Sequence, residues 1–225
     1  PQYKGLLHSS VEEIHQWTID AHLAGQRPCI HAQGDYGMNV VLDGIEKALA
    51  KRPAVDHRIR IEHAGLTPPS ILARMKKLGV CASSSISFLG GDVSPNWVYW
   101  GQERMKWTYA LKSFRDYGIT AAGNGDYPVT TGNPLIGIAT AVTRRTINGD
   151  LVGPNQAIPL EDALKLYSTN AAYLEFAEDK KGSIEPGKLG DLVVLDRDPA
   201  SVSPEEIRDI KVDMTILAGR VVYER

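Results

Sequence analysis

Four short strand-like segments, near residues 28, 58, 80 and 119, alternate with stretches of helical periodicity, and this alternation restricts the fold more than any other feature of the chain. Ser10-Val11-Glu12-Glu13 reads as a capping box. Val11, Ile14, Trp17, Ala21 and Ala24 follow at helical spacing and end at Gly25. Pro28-Cys29-Ile30-His31-Ala32 reads as a buried strand, and residues 38–50 as a helix. Arg58 to His63 alternate as a strand. Thr67, with Pro68 at the first helical position, opens a helix that ends near Gly79. Residues 80–84 read as a third strand. A loop rich in Gly, Pro and Trp covers residues 89–101. Residues 103–117 read as one long helix closed by Gly118, and residues 119–123 as a fourth strand. Strands alternating with helices of this length indicate parallel βαβ units. Four such units make either a small open, doubly wound sheet or half of an eight-stranded barrel, which takes about 250 residues when complete.

Past residue 134 the pattern changes. Residues 134–145 and 160–176 read as helices, and residues 182–188 as a turn-rich link. Residues 191–196, 212–217 and 220–224 read as short strands, the last two joined around Ala218-Gly219, which suggests a small antiparallel layer. With 43% hydrophobic and 23% charged residues, the composition suits a globular protein that buries a core. A formal net charge of −2 with both signs mixed along the chain argues against nucleic acid and against a polybasic membrane segment. No apolar run approaches the roughly 20 residues that span a bilayer. Cys29 and Cys81 lie in apolar segments and are read as free thiols in a reducing, cytoplasmic setting, with a lone disulfide as the alternative. Residue 1 is Pro rather than Met, so the chain is expected to begin inside a longer product or after processing.

Parallel α/β folds gather chemistry at the C-terminal ends of their strands. Here the first strand ends at His31, the second at His63, and the fourth runs into Gly123-Asn124-Gly125-Asp126. Alternation sets Cys29 on the face of His31, and Ile59 and Ile61 on that of His63, so both histidines are expected to point into one interior. Imidazoles suit zinc and other late first-row ions, and a carboxylate can complete such a set. Ser83, Ser84 and Ser85, at the end of the third strand, are poor ligands. His8, His15 and His22 recur every seven residues and are read as surface or interface residues. Asp35 is read as a helix N-cap, with a ligand-loop carboxylate as the alternative. His57 is expected to be exposed and Cys29 to lie in the core. Trp97, Tyr99 and Trp100 either line a substrate pocket or cover the barrel end. Arg58, Arg60 and Glu62 are expected to pair with one another or to lie at strand ends.

At these residues the chain resembles amidohydrolase family 3, which includes N-substituted formamide deformylases. His31-Ala32-Gln33-Gly34-Asp35 is similar to its His-Ala-x-Gly-Asp segment, and Arg60-Ile61-Glu62-His63-Ala64 to its next strand. Gly125-Asp126-Tyr127-Pro128-Val129 resembles its Ser-Asp-x-Pro-Val segment, with Asn133-Pro134-Leu135 and Ala141-Val142-Thr143-Arg144 following in order. Ala163-Leu164, the run from Tyr167 to Ala172 and the run from Gly182 to Asp191 extend the likeness over nearly the whole chain.

The resemblance implies an α/β fold: a partial (β/α)₈ TIM-type barrel, strands five to eight, over residues 1–181, followed by the C-terminal part of a β-sandwich over residues 182–225. It implies His31 and His63 as metal ligands, and Asp126 as ligand and general base. The cofactor would be one or two divalent ions, zinc first, and the reaction hydrolysis of a small amide or other C–N bond. Two departures stand out. The family's first-strand His-x-His pair and the bridging residue after its fourth strand are absent, and Lys4 lies past that point. Gly125 also stands where Ser is usual. A missing N-terminal half or a homo-oligomeric partner is therefore expected. Two other readings remain: a non-catalytic half-barrel that needs a partner segment or chain, and a metal-free α/β domain that binds a ligand at a switch point.

Overall fold

The computed structural model describes residues 4–91 and 100–225. They fall into two compact units, residues 4–85 with 100–121, and residues 86–91 with 122–225.

The first unit opens with α1 (Val11–Leu23). Its N-terminus carries the expected capping box: Ser10 Oγ accepts from the Glu13 N–H at 3.2 Å, and Glu13 Oε2 accepts from the Ser10 N–H at 3.0 Å. α2 spans Asp35–Lys51 and begins earlier than its apolar stripe suggests. Gly34, not Asp35, is its N-cap, and the Asp35 carboxylate accepts from the Tyr36 N–H at 2.9 Å inside the first turn. α1 lies close on α2 at Gly44, where a Cβ would stand 3.2 Å from the His15 ring. That approach buries two histidines expected at the surface or at an interface. His15 Nε2 donates to the Val40 carbonyl at 3.0 Å, with Lys47 Nζ 2.9 Å from Nδ1, and His22 Nε2 donates to the Arg52 carbonyl at 2.7 Å. His57, also expected outside, is half-buried between the Leu78 carbonyl and the Ile59 N–H. In each case the ring completes a backbone hydrogen bond within the packed layer.

The strands are β1 (Cys29–Ala32), β2 (Arg60–His63), β3 (Cys81–Ser84) and β4 (Ala121–Gly123), in that sheet order. β1–β2 and β2–β3 pair in parallel, and the Ala82 N–H donates to the Thr120 carbonyl at 3.0 Å beside the start of β4. α3 (Pro69–Leu78) returns the chain between β2 and β3; Pro68 is its N-cap, so Pro69 takes the first helical position. Gly79, at φ +67°, ends the helix in the left-handed conformation that glycine adopts at little cost. Ile59, Ile61, Ile71, Leu72, Met75 and Leu42 are fully buried in this layer.

β1 is the exception. Among the described residues it has one neighbouring strand, and Cys29 and His31 are exposed, against the expectation of a buried strand with Cys29 in the core. Cys81 is buried, and neither cysteine is in a disulfide. Burial pushes the Cys81 thiol up to about 11. At pH 8, iodoacetamide should therefore modify Cys29 readily and leave Cys81 untouched until denaturant is added, because the thiolate is the reacting form. Equal labelling of both in the folded protein, read by peptide mass, would contradict this arrangement.

The long helix expected over residues 103–117 is broken. Residues Gln102–Met105 and Leu111–Tyr117 are helical, while the segment between them pairs with the loop after β2. Leu66 and Thr108 form an antiparallel bridge, Thr67 N–H donates to Trp107 O at 3.1 Å, and Tyr109 N–H donates to Gly65 O at 2.9 Å. Those tertiary bonds outweigh a helical propensity worth only tenths of a kcal/mol per residue.

In the second unit, helix Pro134–Thr143 starts on the Asn133 side chain, which accepts from the Leu135 N–H at 3.0 Å. The helix expected over 160–176 is split into Leu160–Leu166 and Thr169–Leu174 around Ser168, whose φ −131° and ψ −98° are not helical. Beside the break, Tyr167 Oη lies 3.1 Å from Ser87 Oγ, and packing around that hydroxyl pushes the phenol up to about 12. Only glycines fit against it: a Cβ on Gly123 would stand 2.9 Å from Tyr167 Oη, and one on Gly137 would stand 2.7 Å from Ser87 Oγ. β5 (Leu192–Leu195), β6 (Val212–Leu217) and β7 (Arg220–Glu224) make the expected antiparallel layer. Ala218 and Gly219, at φ +48° and +76°, form the two-residue turn that matches strand twist. Leu192, Val193, Leu217, Val221, Val222 and Tyr223 on this sheet are exposed.

Candidate functional site

The site is built on the ends of β1 and β2. Their register pairs His31 with Glu62, and Ala32 with His63. In a parallel pair, residues in register share a face, so His31 belongs with Cys29, Arg60 and Glu62, while His63 belongs with Ala32 and Ile61. Simple alternation would thus set the two histidines on opposite faces, contrary to the sequence expectation. The end of β2 changes this. His63 and Ala64 adopt φ +68° and +47°, a left-handed conformation that costs a non-glycine residue roughly 1–3 kcal/mol. With the strand turned there, the His31 and His63 rings meet edge to face, their centroids 4.4 Å apart and their planes at 71°.

Three neighbours support this turn. The loops that follow the two histidines press together: a Cβ at Gly65 would stand 2.9 Å from the Gln33 carbonyl oxygen, so glycine is required by close approach. Tyr109 Oη reaches Gln33 Oε1 at 3.4 Å. Ser85 Oγ lies 2.8 Å from His63 Nδ1, with both residues buried. Gln33, Gly65 and Ser85 carry no ligand signal in sequence, since their roles depend on which loops the sheet brings side by side. Ser84 Oγ, in register with His63, is buried with no hydrogen-bond partner among the described residues. A buried hydroxyl of this kind is one that ordered water or a bound species would satisfy.

The charged residues of β2 pair locally, as expected. Arg60 Nε is 2.5 Å from Glu62 Oε1, and Arg58 bonds Asp56 just before the strand at 2.8 Å. Trp100 is half-buried; Trp97 and Tyr99 lie outside the described residues.

Asp126 belongs to the second unit, three residues after β4, and is exposed at φ +49°. Its carbonyl accepts from the Val129 N–H at 2.7 Å, and the Thr130 hydroxyl bonds the Gly125 carbonyl. Its carboxylate has no hydrogen-bond partner among the described residues, so it does not cap the turn that follows. The glycine before it has a local cause, because a Cβ at Gly125 would stand 2.7 Å from the Thr131 carbonyl oxygen. Among the described residues, no three His, Cys, Asp or Glu side chains form a metal-binding group. The donors that do meet are the two imidazoles, and their chemistry fits a late first-row ion as part of a larger set.

The family described as "Amidohydrolase family" matches residues 1–223. N-substituted formamide deformylase of Arthrobacter pascens is 33% identical over 218 residues, covering 96% of this chain and 40% of that protein. The putative amidohydrolase YtcJ of Bacillus subtilis (strain 168) is 29% identical, covering 100% of this chain and 42% of its own length. Among solved structures, an uncharacterized metal-dependent hydrolase from Pyrococcus horikoshii OT3 superposes with a TM-score of 0.75 at 31% identity, over 91% of this chain and 41% of that one. The chain therefore spans about two-fifths of the length of the relatives it matches.

Proposed function

This chain belongs to the amidohydrolase family, and from that premise we propose that it supplies one side of a divalent-metal centre that hydrolyses an amide or other C–N bond. The observation that carries the reading is the meeting of His31 and His63 at the C-terminal ends of adjacent parallel strands. In the proposed site both imidazoles hold the ion, zinc by preference, and further ligands, Asp126 among them, complete the shell. Such an ion polarises the scissile carbonyl and lowers the pKa of water. Asp126 does the proton work: a carboxylate oxygen takes the proton from the attacking water and delivers it to the departing nitrogen as the C–N bond breaks. In the whole protein, residues 1–181 would contribute strands five to eight of a (β/α)₈ barrel, and residues 182–225 part of a β-sandwich. We propose a cytoplasmic location for it, a setting in which thiols such as Cys29 and Cys81 stay reduced.

The test uses the full-length protein. Zinc content and turnover are measured on a panel of N-substituted formamides, cyclic amides and peptides, before and after removal of metal by chelation. Hydrolysis of at least one formamide or cyclic amide, lost on chelation and restored by zinc, is expected. Turnover that survives complete metal removal would defeat the proposal. A second reading, a non-catalytic module completed by a partner segment or chain, is favoured by the exposed apolar residues of β5–β7 and by the single neighbour of β1 among the described residues. It predicts stable association without turnover on any member of the panel.

A further inference from the structure

We propose that Ser85 is a positioning residue for the metal centre, holding the orientation of the His63 ring and accepting from its Nδ1–H in the form that ligates through Nε2. The inference rests on the proposed role of His63 as a ligand and adds to it a residue from a third strand.

The placement follows from register. Ser84, the last residue of β3, pairs with His63, the last residue of β2. Ser85 is therefore one step further along the edge of the sheet where the two histidines meet. Its hydroxyl lies 2.8 Å from His63 Nδ1. Ser85 is 0% and His63 7% exposed, so bulk water competes poorly for this bond. His31 touches the same ring from the β1 side. The His63 imidazole is thus fixed on two sides, on a backbone already turned to φ +68°.

The bond also suits the ligating form, because a hydroxyl can accept as well as donate. A neutral histidine that ligates through Nε2 carries its proton on Nδ1, and that N–H needs an acceptor when buried. The Ser85 oxygen accepts it. Without the hydroxyl, the buried N–H loses this acceptor, which weakens the form that ligates through Nε2 relative to the tautomer with the proton on Nε2.

The experiment compares Ser85→Ala, Ser85→Thr and His63→Asn in the full-length protein, with zinc alone as the probe. Three quantities are read: zinc affinity, the unfolding midpoint of the zinc-free protein, and the ring tautomer of His63 by ¹⁵N-edited NMR. Ser85→Ala should weaken zinc binding about tenfold and shift His63 away from the Nδ1–H tautomer, with Ser85→Thr restoring both. If His63→Asn weakens zinc but Ser85→Ala changes neither affinity nor tautomer, the inference fails and the ligand role of His63 stands. A fall in affinity that tracks only a lower unfolding midpoint, with the tautomer unchanged, would make Ser85 merely structural and also overturn it. If His63→Asn itself leaves zinc affinity intact, the ligand role fails, and the inference with it.

Discussion

Replacing Asp126 by Asn in the full-length enzyme should lower kcat by about 10²–10⁴-fold while leaving the fold intact. The geometry supports both halves of that expectation. Asn is nearly isosteric with Asp and is among the few residues that tolerate a left-handed backbone, so φ +49° at this position should survive. The loop is held by main-chain and threonine contacts, the Val129 N–H on the Asp126 carbonyl and the Thr130 hydroxyl on the Gly125 carbonyl, none of which uses the carboxylate. The carboxylate itself is exposed and caps nothing among the described residues. Its removal therefore costs little stability, and what it does remove is an oxygen able to accept a proton at neutral pH. Because the missing group acts in the bond-breaking step, the loss should fall on kcat, with KM changed less. kcat, KM and unfolding midpoint, measured together on the best substrate of the panel, decide it. A variant with near-normal kcat would remove Asp126 from the chemistry, and a collapse in stability would make it a structural residue instead.

What the sequence discloses about this fold divides along a physical line. Features decided within a few residues were readable. Ser10 and Glu13 announce a helix start because both halves of a capping box lie within one turn, and Gly219, between two strand-like runs, announces a hairpin because a positive φ favours glycine, although Ala218 beside it also adopts φ +48°. Features decided by distant partners were not. The break in the helix around Thr108 comes from pairing with Leu66, and the break at Ser168 accompanies the packing of Tyr167 against Ser87, eighty positions earlier. His15 and His22 look like a polar stripe until Gly44 lets α2 come close enough to cover them.

The site shows the same division. Strand-end position picks out His31 and His63, yet alternation alone sets them on opposite faces rather than on a common one, because register pairs His31 with Glu62. The rings meet through a left-handed turn at His63, and period-two patterning contains no sign of such a turn. In sequence Ser85 is only a poor ligand. Its role becomes visible only once β3 lies beside β2.

The same geometry makes His63→Asn an unusually clean substitution. Asn tolerates φ > 0, and its side-chain amide offers both a donor and an acceptor to the Ser85 hydroxyl, so the turn at the end of β2 and the buried hydrogen bond have a substitute. What Asn cannot replace is the imidazole Nε2. Loss of an outer partner of a ligand typically costs 10–100-fold in metal affinity, and loss of the ligand itself should cost more. Zinc affinity of the full-length protein is therefore expected to fall by more than about 10²-fold, with the zinc-free protein unfolding at the same midpoint as the parent. In excess zinc the parent should then melt higher than the variant, because an ion that binds only the folded state stabilises it by RT ln(1 + c/Kd), with c the free zinc concentration, which is larger for the tighter binder. Chelator competition and paired melts, with and without zinc, separate the two proteins. Matching zinc affinities and matching zinc-dependent shifts would mean that His63 packs against His31 for structural reasons alone.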